Sequence, residues 1–381
     1  MRMFLSAGIG LALAVVSPAK EGALPAALAE FASGQVEVGE VAGLLVEVGG
    51  KEGVRARAAA GFADVEKEIE MTPDRVFWIA SMSKPITGTA VMMAQEKGLL
   101  QVSDPVAKYL PEFRELKGAD GKPASVTIAQ CLSHTSGLQD LNGEENAATK
   151  DLAELTALVA QKPLKFEPGT KWAYCQTGIN TAARVLEVVS GQSFPDFLEA
   201  QLFQPLGMVD TSFYLNAAQA ERLAVSYQTT ETGFHPVKPY ILFGKEATDH
   251  ARYPSGAGGL FSTLGDYGKF ARMILNGGEL DGKRYLTPES IALMTGSHTG
   301  ELKAGFVPGS KYGLGWIRVA EAVGVTAPLS VGSYGHGGAY GTQAWIDPVA
   351  GRYTIMMLQR TNFGNGDASE TRALFQKAAA R

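Results

Sequence analysis

Phe77-Trp78-Ile79-Ala80-Ser81-Met82-Ser83-Lys84-Pro85-Ile86-Thr87-Gly88 is the stretch on which the reading of this chain turns. An apolar, β-prone run ends at Ala80. A helical pattern follows from about Ser81 to Lys97 and stops at Gly98. Ser81 and Lys84 form an S-x-x-K, which on a helix places both side chains on one face, one turn apart. The helix N-terminus then adds positive potential beside the serine oxygen and favours a developing alkoxide. Pro85 suits a first helical turn, where its missing N–H costs nothing. Burial would make the lysine shed its proton more readily and permit a base role. Read alone, the same residues also describe an N-cap hydroxyl and a solvated lysine, because such a spacing arises by chance in 381 residues.

Two distant segments add to it. Glu167-Pro168-Gly169-Thr170-Lys171-Trp172-Ala173-Tyr174-Cys175-Gln176-Thr177-Gly178 is a Pro/Gly loop carrying Tyr174. A phenol beside an ammonium ionises more easily and can act as general base or proton relay. Tyr334-Gly335-His336-Gly337-Gly338-Ala339-Tyr340-Gly341 is a glycine-rich strand entry against which a substrate could lie. A backbone N–H there could pair with that of Ser81 as an oxyanion hole.

The flanking chain supplies the frame. Residues 21–35 read as an amphipathic helix. Val41–Val48 and Val54–Ala63 are β-rich runs joined by Gly49-Gly50-Lys51-Glu52-Gly53, a hairpin signal. Between about 104 and 304, helical patterns alternate with Pro/Gly breaks. Examples are Leu152–Gln161, Thr181–Ser190 and Phe194–Phe203, and Thr263-Leu264-Gly265-Asp266 has the form of a capping box. Strand patterns return at Leu314–Val319, Gln343–Asp347 and Tyr353–Gln359, before a final helix from about Asp367 to Ala379. The expected class is α+β. A sheet subdomain is built from both termini (about 20–103 and 305–381), and a large, mostly helical subdomain is inserted over about 104–304.

Composition bounds the function. Hydrophobic residues make up 45% and charged residues 19%, a globular balance that excludes disorder. With 34 basic and 39 acidic residues the net charge is −5, and no basic run suggests nucleic-acid binding. Two cysteines exclude a disulfide-dense scaffold and a four-cysteine zinc site. Arg2, the apolar run Met3–Val16 and Ser17-Pro18-Ala19 read as a secretory signal cleaved near Ala19, residues 1–19. Its counterpart reading is a short buried helix. Export would place the mature protein in the periplasm or outside the cell, and no later segment is long and apolar enough to span a bilayer. It would also permit a Cys131–Cys175 bridge, against two buried thiols. His235, His250 and His298 show no metal-ligand spacing, and neither a metal nor a cofactor is expected. There is no G-x-S-x-G elbow.

Taken together these segments resemble the serine β-lactamase-related hydrolases, with their penicillin-binding-protein-like, β-lactamase/transpeptidase-like fold. The family includes class C β-lactamases, family VIII esterases, D-aminopeptidases and DD-carboxypeptidases. The resemblance runs through S-x-x-K at Ser81, Ser133-His134-Thr135-Ser136-Gly137-Leu138, Pro205-Leu206-Gly207-Met208-Val209-Asp210-Thr211, Ala257-Gly258-Gly259-Leu260-Phe261-Ser262-Thr263 and Tyr312-Gly313-Leu314-Gly315-Trp316. It implies an antiparallel sheet flanked by helices. It also implies Ser81 as acylated nucleophile, Lys84 as its partner, and Tyr174 as general base or relay at the first position of Y-x-N. The H-x-G form of the K-T-G strand falls on His336, Gly337 and Gly338, with the N–H groups of Ser81 and Ala339 holding the oxyanion.

Two positions depart from the lactamase pattern. Gln176 replaces the Asn of Y-x-N, and His336 replaces a permanently charged Lys. Both point away from efficient antibiotic hydrolysis and toward an esterase acting on a small ester, amide or peptide. A D-amino-acid peptidase, a DD-carboxypeptidase or a weak β-lactamase is the alternative, and a non-catalytic binding protein retaining the fold is the rival that Gln176 raises. Gln139 and the aromatic stretch Tyr240–Phe243 are candidate cleft walls. His134 is expected to be structural.

Overall fold

The computed structural model describes residues 22–363 and 368–381; the expected signal segment lies outside them. Eight strands form one antiparallel sheet: β1 (Gly43–Gly50), β2 (Gly53–Asp64), β3 (Ile69–Glu70), β4 (Ser310–Tyr312), β5 (Ile317–Val319), β6 (Tyr334–Gly337), β7 (Gln343–Asp347) and β8 (Arg352–Leu358). Their spatial order is β4-β5-β6-β7-β8-β1-β2-β3. The two termini therefore meet where β1 pairs with β8, from Leu44 opposite Leu358 to Gly50 opposite Arg352. The β1–β2 hairpin turns at Lys51-Glu52, inside the expected glycine cluster.

β1 is buried along its whole length, because helices cover both faces of the sheet. Leu44, Val46 and Val48 pack with Met356 and Leu358 beneath α1 (Ala23–Glu37) and α5 (Glu370–Ala379), whose Phe31 and Phe375 rings lie 5.7 Å apart. Leu45, Ile355 and Met357 face the opposite way into the larger core. There α4 (Leu264–Leu275) packs on β1, β7 and β8. A two-residue side-chain period explains the split. The same α2 (Ser83–Glu96) that the S-x-x-K opens is buried on almost every side, as a helix at the centre of a domain should be.

Two expectations need correction. The helix does not begin at Ser81. A 3₁₀ turn, Ala80–Met82, precedes it, with Ala80 in the left-handed region at φ +48°. The Thr263 box is half made. The Thr263 hydroxyl accepts the Asp266 N–H at 3.2 Å, but the Asp266 carboxylate turns instead to the Asp210 N–H (2.7 Å) and the Thr211 hydroxyl (3.1 Å). Of the two readings of the cysteines, the structure bears out the buried thiols: Cys131 and Cys175 are both free. Burial pushes Cys131 up to about 12 and Cys175 well above the usual thiol range, which leaves both without thiolate reactivity at neutral pH.

Candidate active site

The lead-in to Ser81 is clamped from two sides. Residues Val76–Trp78 pair antiparallel with Phe261–Thr263, and the Ile79 N–H donates to Leu260 O at 3.1 Å. The Trp78 indole donates to Gly258 O at 2.6 Å, and the Leu260 N–H donates to the Ser83 hydroxyl at 3.2 Å. The A-G-G-L-F-S-T segment is thus the wall that holds the turn at Ala80, a residue with a left-handed φ that costs a non-glycine about 1–2 kcal/mol. Behind α2, Gly315 approaches so closely that a Cβ there would sit 2.5 Å from Lys84 O. The Y-G-L-G-W glycines make that approach possible.

Lys84 is fully buried, yet its ammonium is saturated. It donates to Ala257 O at 2.6 Å, to Gln176 Oε1 at 2.8 Å and to Ser81 Oγ at 3.0 Å. The Tyr174 hydroxyl donates to the same Ser81 oxygen at 2.8 Å, and Lys84 Nζ lies 4.5 Å from the Tyr174 ring centre. Hydroxyl, amine and phenol therefore share one pocket, all within hydrogen-bond reach. Gln176, with its longer side chain, still accepts from Lys84.

His134 explains why Tyr174 is where it is. Its backbone carbonyl accepts the Ala173 N–H at 3.0 Å, and its Nδ1 accepts the Cys175 N–H at 3.1 Å, so it brackets the tyrosine. The ring lies 4.5 Å from that of Tyr174 and 4.6 Å from that of Tyr312. Cys175 is the N-cap of α3 (Gln176–Ser190), which places Gln176 on the first turn.

The glycine-rich strand end arrives from the other side. Ser81, Tyr174, His336, Gly337, Gly338 and Ala339 line one polar cavity of about 170 Å³. Gly338 is obligatory there, since a Cβ would lie 2.0 Å from the Thr342 hydroxyl and 2.6 Å from Ile79 O. His336 does not offer its ring to a ligand as expected. It is 1% exposed, Nε2 is 2.6 Å from the Tyr312 hydroxyl, and Nδ1 is 2.7 Å from Gly337 O. Gly337 O can only accept, so Nδ1 donates to it, and in the neutral ring Nε2 accepts from the Tyr312 hydroxyl. Burial, then the Lys84 charge, hold both His336 and His134 well below the usual imidazole range.

A second, larger cavity of about 380 Å³ also opens at Ser81. Trp78, Tyr240, Ile241, Phe243 and Tyr253 make it largely apolar, and Leu242 is buried beneath. Gln139 does not line either cavity. Its amide turns away to donate to Pro163 O at 2.6 Å, and its neighbours Asp140 and Leu141 form the wall instead. Sequence reasoning missed Asn180, which is fully buried on α3 with Oδ1 accepting the Ala257 N–H at 3.1 Å. Its position, one helical turn beyond Gln176, was the available signal. It also missed Arg372 of α5, which reaches the polar cavity from the far end of the chain. Among the described residues, no group of three His, Cys, Asp or Glu could hold a metal ion, and no helix is long and apolar enough to cross a membrane.

Comparisons with known proteins follow this geometry. Esterase EstB of Burkholderia gladioli is 29% identical over 357 residues, covering 85% of this chain and 87% of that protein. Penicillin-binding protein 4 of Amycolatopsis lactamdurans is 32% identical over 279 residues, covering 72% and 69%. The solved structure of EstCE1, described as a hydrolase with promiscuous acyltransferase activity, superposes with a TM-score of 0.79 at 26% identity, covering 94% of this chain and 98% of that one. The family model described as Beta-lactamase matches residues 28–379, and the chain belongs to that family as a serine hydrolase of the β-lactamase/penicillin-binding-protein-like fold.

Proposed function

We propose that the protein is an exported esterase that works through a covalent acyl-enzyme on Ser81. The observation that carries this reading is the double approach to one oxygen, with Lys84 Nζ at 3.0 Å and the Tyr174 hydroxyl at 2.8 Å from Ser81 Oγ. Once the Lys84–Tyr174 pair has given one proton to solvent, leaving a phenolate beside the ammonium, Ser81 Oγ attacks the ester carbonyl carbon and its proton passes to the Tyr174 oxygen. The N–H groups of Ser81 and Ala339 hold the developing oxyanion. As the bond to the leaving oxygen breaks, the pair returns the proton to it. Water, deprotonated by the same pair, then releases the acid and restores Ser81.

The two cavities support an ester over a β-lactam. The apolar one of about 380 Å³ suits an acyl chain, and the polar one of about 170 Å³ suits a small leaving group. The neutral, fully committed His336 supplies no cation for the carboxylate that a β-lactam or a peptide C-terminus would bring. EstB, an esterase by name, accords with this.

A fluorophosphonate probe should label the wild type and leave Ser81→Ala unlabelled; equal labelling sinks the mechanism. On a panel of p-nitrophenyl esters, nitrocefin and D-Ala-D-Ala peptides, the esters should turn over fastest. Rapid nitrocefin turnover without ester cleavage would reverse the assignment. Export rests on Arg2, the apolar run Met3–Val16 and the small residues before Lys20. N-terminal sequencing of the secreted protein should begin at Lys20, and a chain that still carries Met1 would contradict it.

A further inference from the structure

Ala339 lies in a turn that is closed by unusual means. The Gly338 N–H donates to Thr342 O at 2.7 Å, and the Gly341 N–H returns to Gly338 O at 3.2 Å. Both carbonyls of this turn also receive the guanidinium of Arg372. Its Nη2 is 2.8 Å from Gly338 O and 2.6 Å from Thr342 O. Arg372 is only 2% exposed, projects from α5 on the opposite face of the sheet, and lines the cavity that holds Ser81.

Gly338 C=O and Ala339 N–H are the two ends of one peptide group. A cation hydrogen-bonded to the oxygen of an amide draws electron density from its nitrogen and strengthens the N–H as a donor, and in a low-dielectric interior the effect is larger than in water. The Ala339 N–H finds no acceptor among the described residues. Ala339 lines the cavity that holds Ser81, and its N–H is the donor that the acyl-enzyme reading requires.

We propose that Arg372 is a positioning residue of the oxyanion hole: bonded to Gly338 O, it polarises the Gly338–Ala339 peptide and so strengthens the Ala339 N–H where negative charge develops in the transition state. The inference rests on the acyl-enzyme reading above. It extends that reading to a residue that acts through the Gly338–Ala339 peptide.

The consequence is differential. An interaction that grows with the charge on the oxyanion lowers the barrier and leaves ground-state binding alone. Arg372→Gln should therefore lower kcat on a p-nitrophenyl ester about 10- to 100-fold, the usual range for one charge-assisted hydrogen bond. KM should stay within about twofold. The affinity for a boronic acid, whose tetrahedral oxygen occupies the same hole, should fall by the same factor as kcat. A loss confined to KM, with kcat and boronate affinity intact, overturns the proposal and leaves only a role in pocket shape.

The spectroscopic readout is the carbonyl stretch of the acyl-enzyme, formed from a ¹³C-carbonyl ester and read by isotope-edited infrared difference spectroscopy after rapid mixing. It should move to higher frequency in Arg372→Lys and further in Arg372→Gln. An unmoved band in whichever of the two variants folds overturns the proposal. The two failures are separable: no acyl band in the wild type, or one that persists in Ser81→Ala, refutes the acyl-enzyme reading itself.

Discussion

Lys84→Met should lower kcat on p-nitrophenyl esters by about 10³ to 10⁴, equivalent to about 4–5.5 kcal/mol of barrier, while the fold stays as stable as before or gains. The activity loss follows from the contacts. Lys84 is the basic group that touches Ser81 Oγ, and it also holds Gln176. Without it the ammonium beside the Tyr174 ring is lost, and the phenol that takes the serine proton no longer ionises as easily. Groups that act as one unit lose nearly all of their effect when any member is removed.

The stability side is less intuitive. Met matches the aliphatic stem of lysine and removes a charge from a fully buried site. Replacing a whole buried ion pair by apolar side chains of similar volume is often neutral or stabilising by about 1–4 kcal/mol, and removing Lys84 likewise removes the desolvation cost of a buried charge. Against that, the Ala257 carbonyl and the Gln176 amide oxygen each lose a donor, at about 1–3 kcal/mol for a group left wholly unsatisfied. Gln176 borders both cavities, where water can replace the ammonium, so the apolar gain is expected to hold. Steady-state kinetics with a thermal melt decide the matter. More than a tenth of wild-type kcat in the variant would remove Lys84 from the chemistry.

How much of this was legible in the chain depends on the range over which each feature is decided. The β1–β2 hairpin and the final helix announce themselves because alternation, glycine clusters and helical spacing act over a few residues. The S-x-x-K is legible for the same reason. The start of α3 was expected at Thr181 and lies at Gln176. The Asp140 carboxylate, from a separate loop, accepts the Thr177 N–H at 2.8 Å and caps the helix from outside. Phe194–Phe203 was expected as one helix. It relaxes into a π turn at Glu199–Phe203, just before Pro205, which cannot donate to a regular ladder.

Within the site, residue types chosen by chemistry were found and orientations were not. Gln139 and Asp140 are adjacent on a loop with no period, so the sequence holds nothing to say which faces the cleft. His336 sits at the expected strand position, but Tyr312 on β4, two strands away in the sheet, takes its Nε2. Arg372 had no signal at all. Its role exists only because α5 folds back across the sheet to the turn that carries Ala339.

Acid should destabilise the protein from about pH 6.5 downward, and the two buried histidines should account for it. In the folded state burial and the Lys84 charge hold His134 and His336 well below the ordinary range, and Arg372 adds to this at His336. The structural reason is that each ring uses its lone pair. His134 Nδ1 accepts the Cys175 N–H, and His336 Nε2 accepts the Tyr312 hydroxyl. A proton on either nitrogen would break the bond that sets the Tyr174 loop or the β6 strand end. Unfolded histidines titrate near 6.5. Above that pH neither state is charged and the histidines do not alter stability with pH. Below it the unfolded chain binds protons that the folded one refuses, so stability falls as pH falls, by up to about 1.4 kcal/mol per pH unit for each ring. Two rings give up to about 2.7 kcal/mol per unit until their lowered folded values are reached.

Glu47 and Asp266 act in the opposite sense. Burial raises both carboxyls, so their protonation in the folded state restores stability as pH falls. Asp104, held at about 2 by Tyr109 and Lys108, contributes only below the unfolded carboxylate range. The histidine share is therefore isolated by difference. Denaturant unfolding of the wild type and of His336→Asn between pH 8 and 5 should give curves that run parallel above 6.5 and converge below it, the variant lacking about one proton per unit of slope. Curves that stay parallel to pH 5 would mean that His336 takes up its proton inside the fold, and the neutral ring assigned to the cavity wall would have to be abandoned. The same argument predicts that kcat on an ester, in the folded enzyme, shows no limb near 6.5 from either histidine. A step there that disappears in His336→Asn would return that ring to the chemistry.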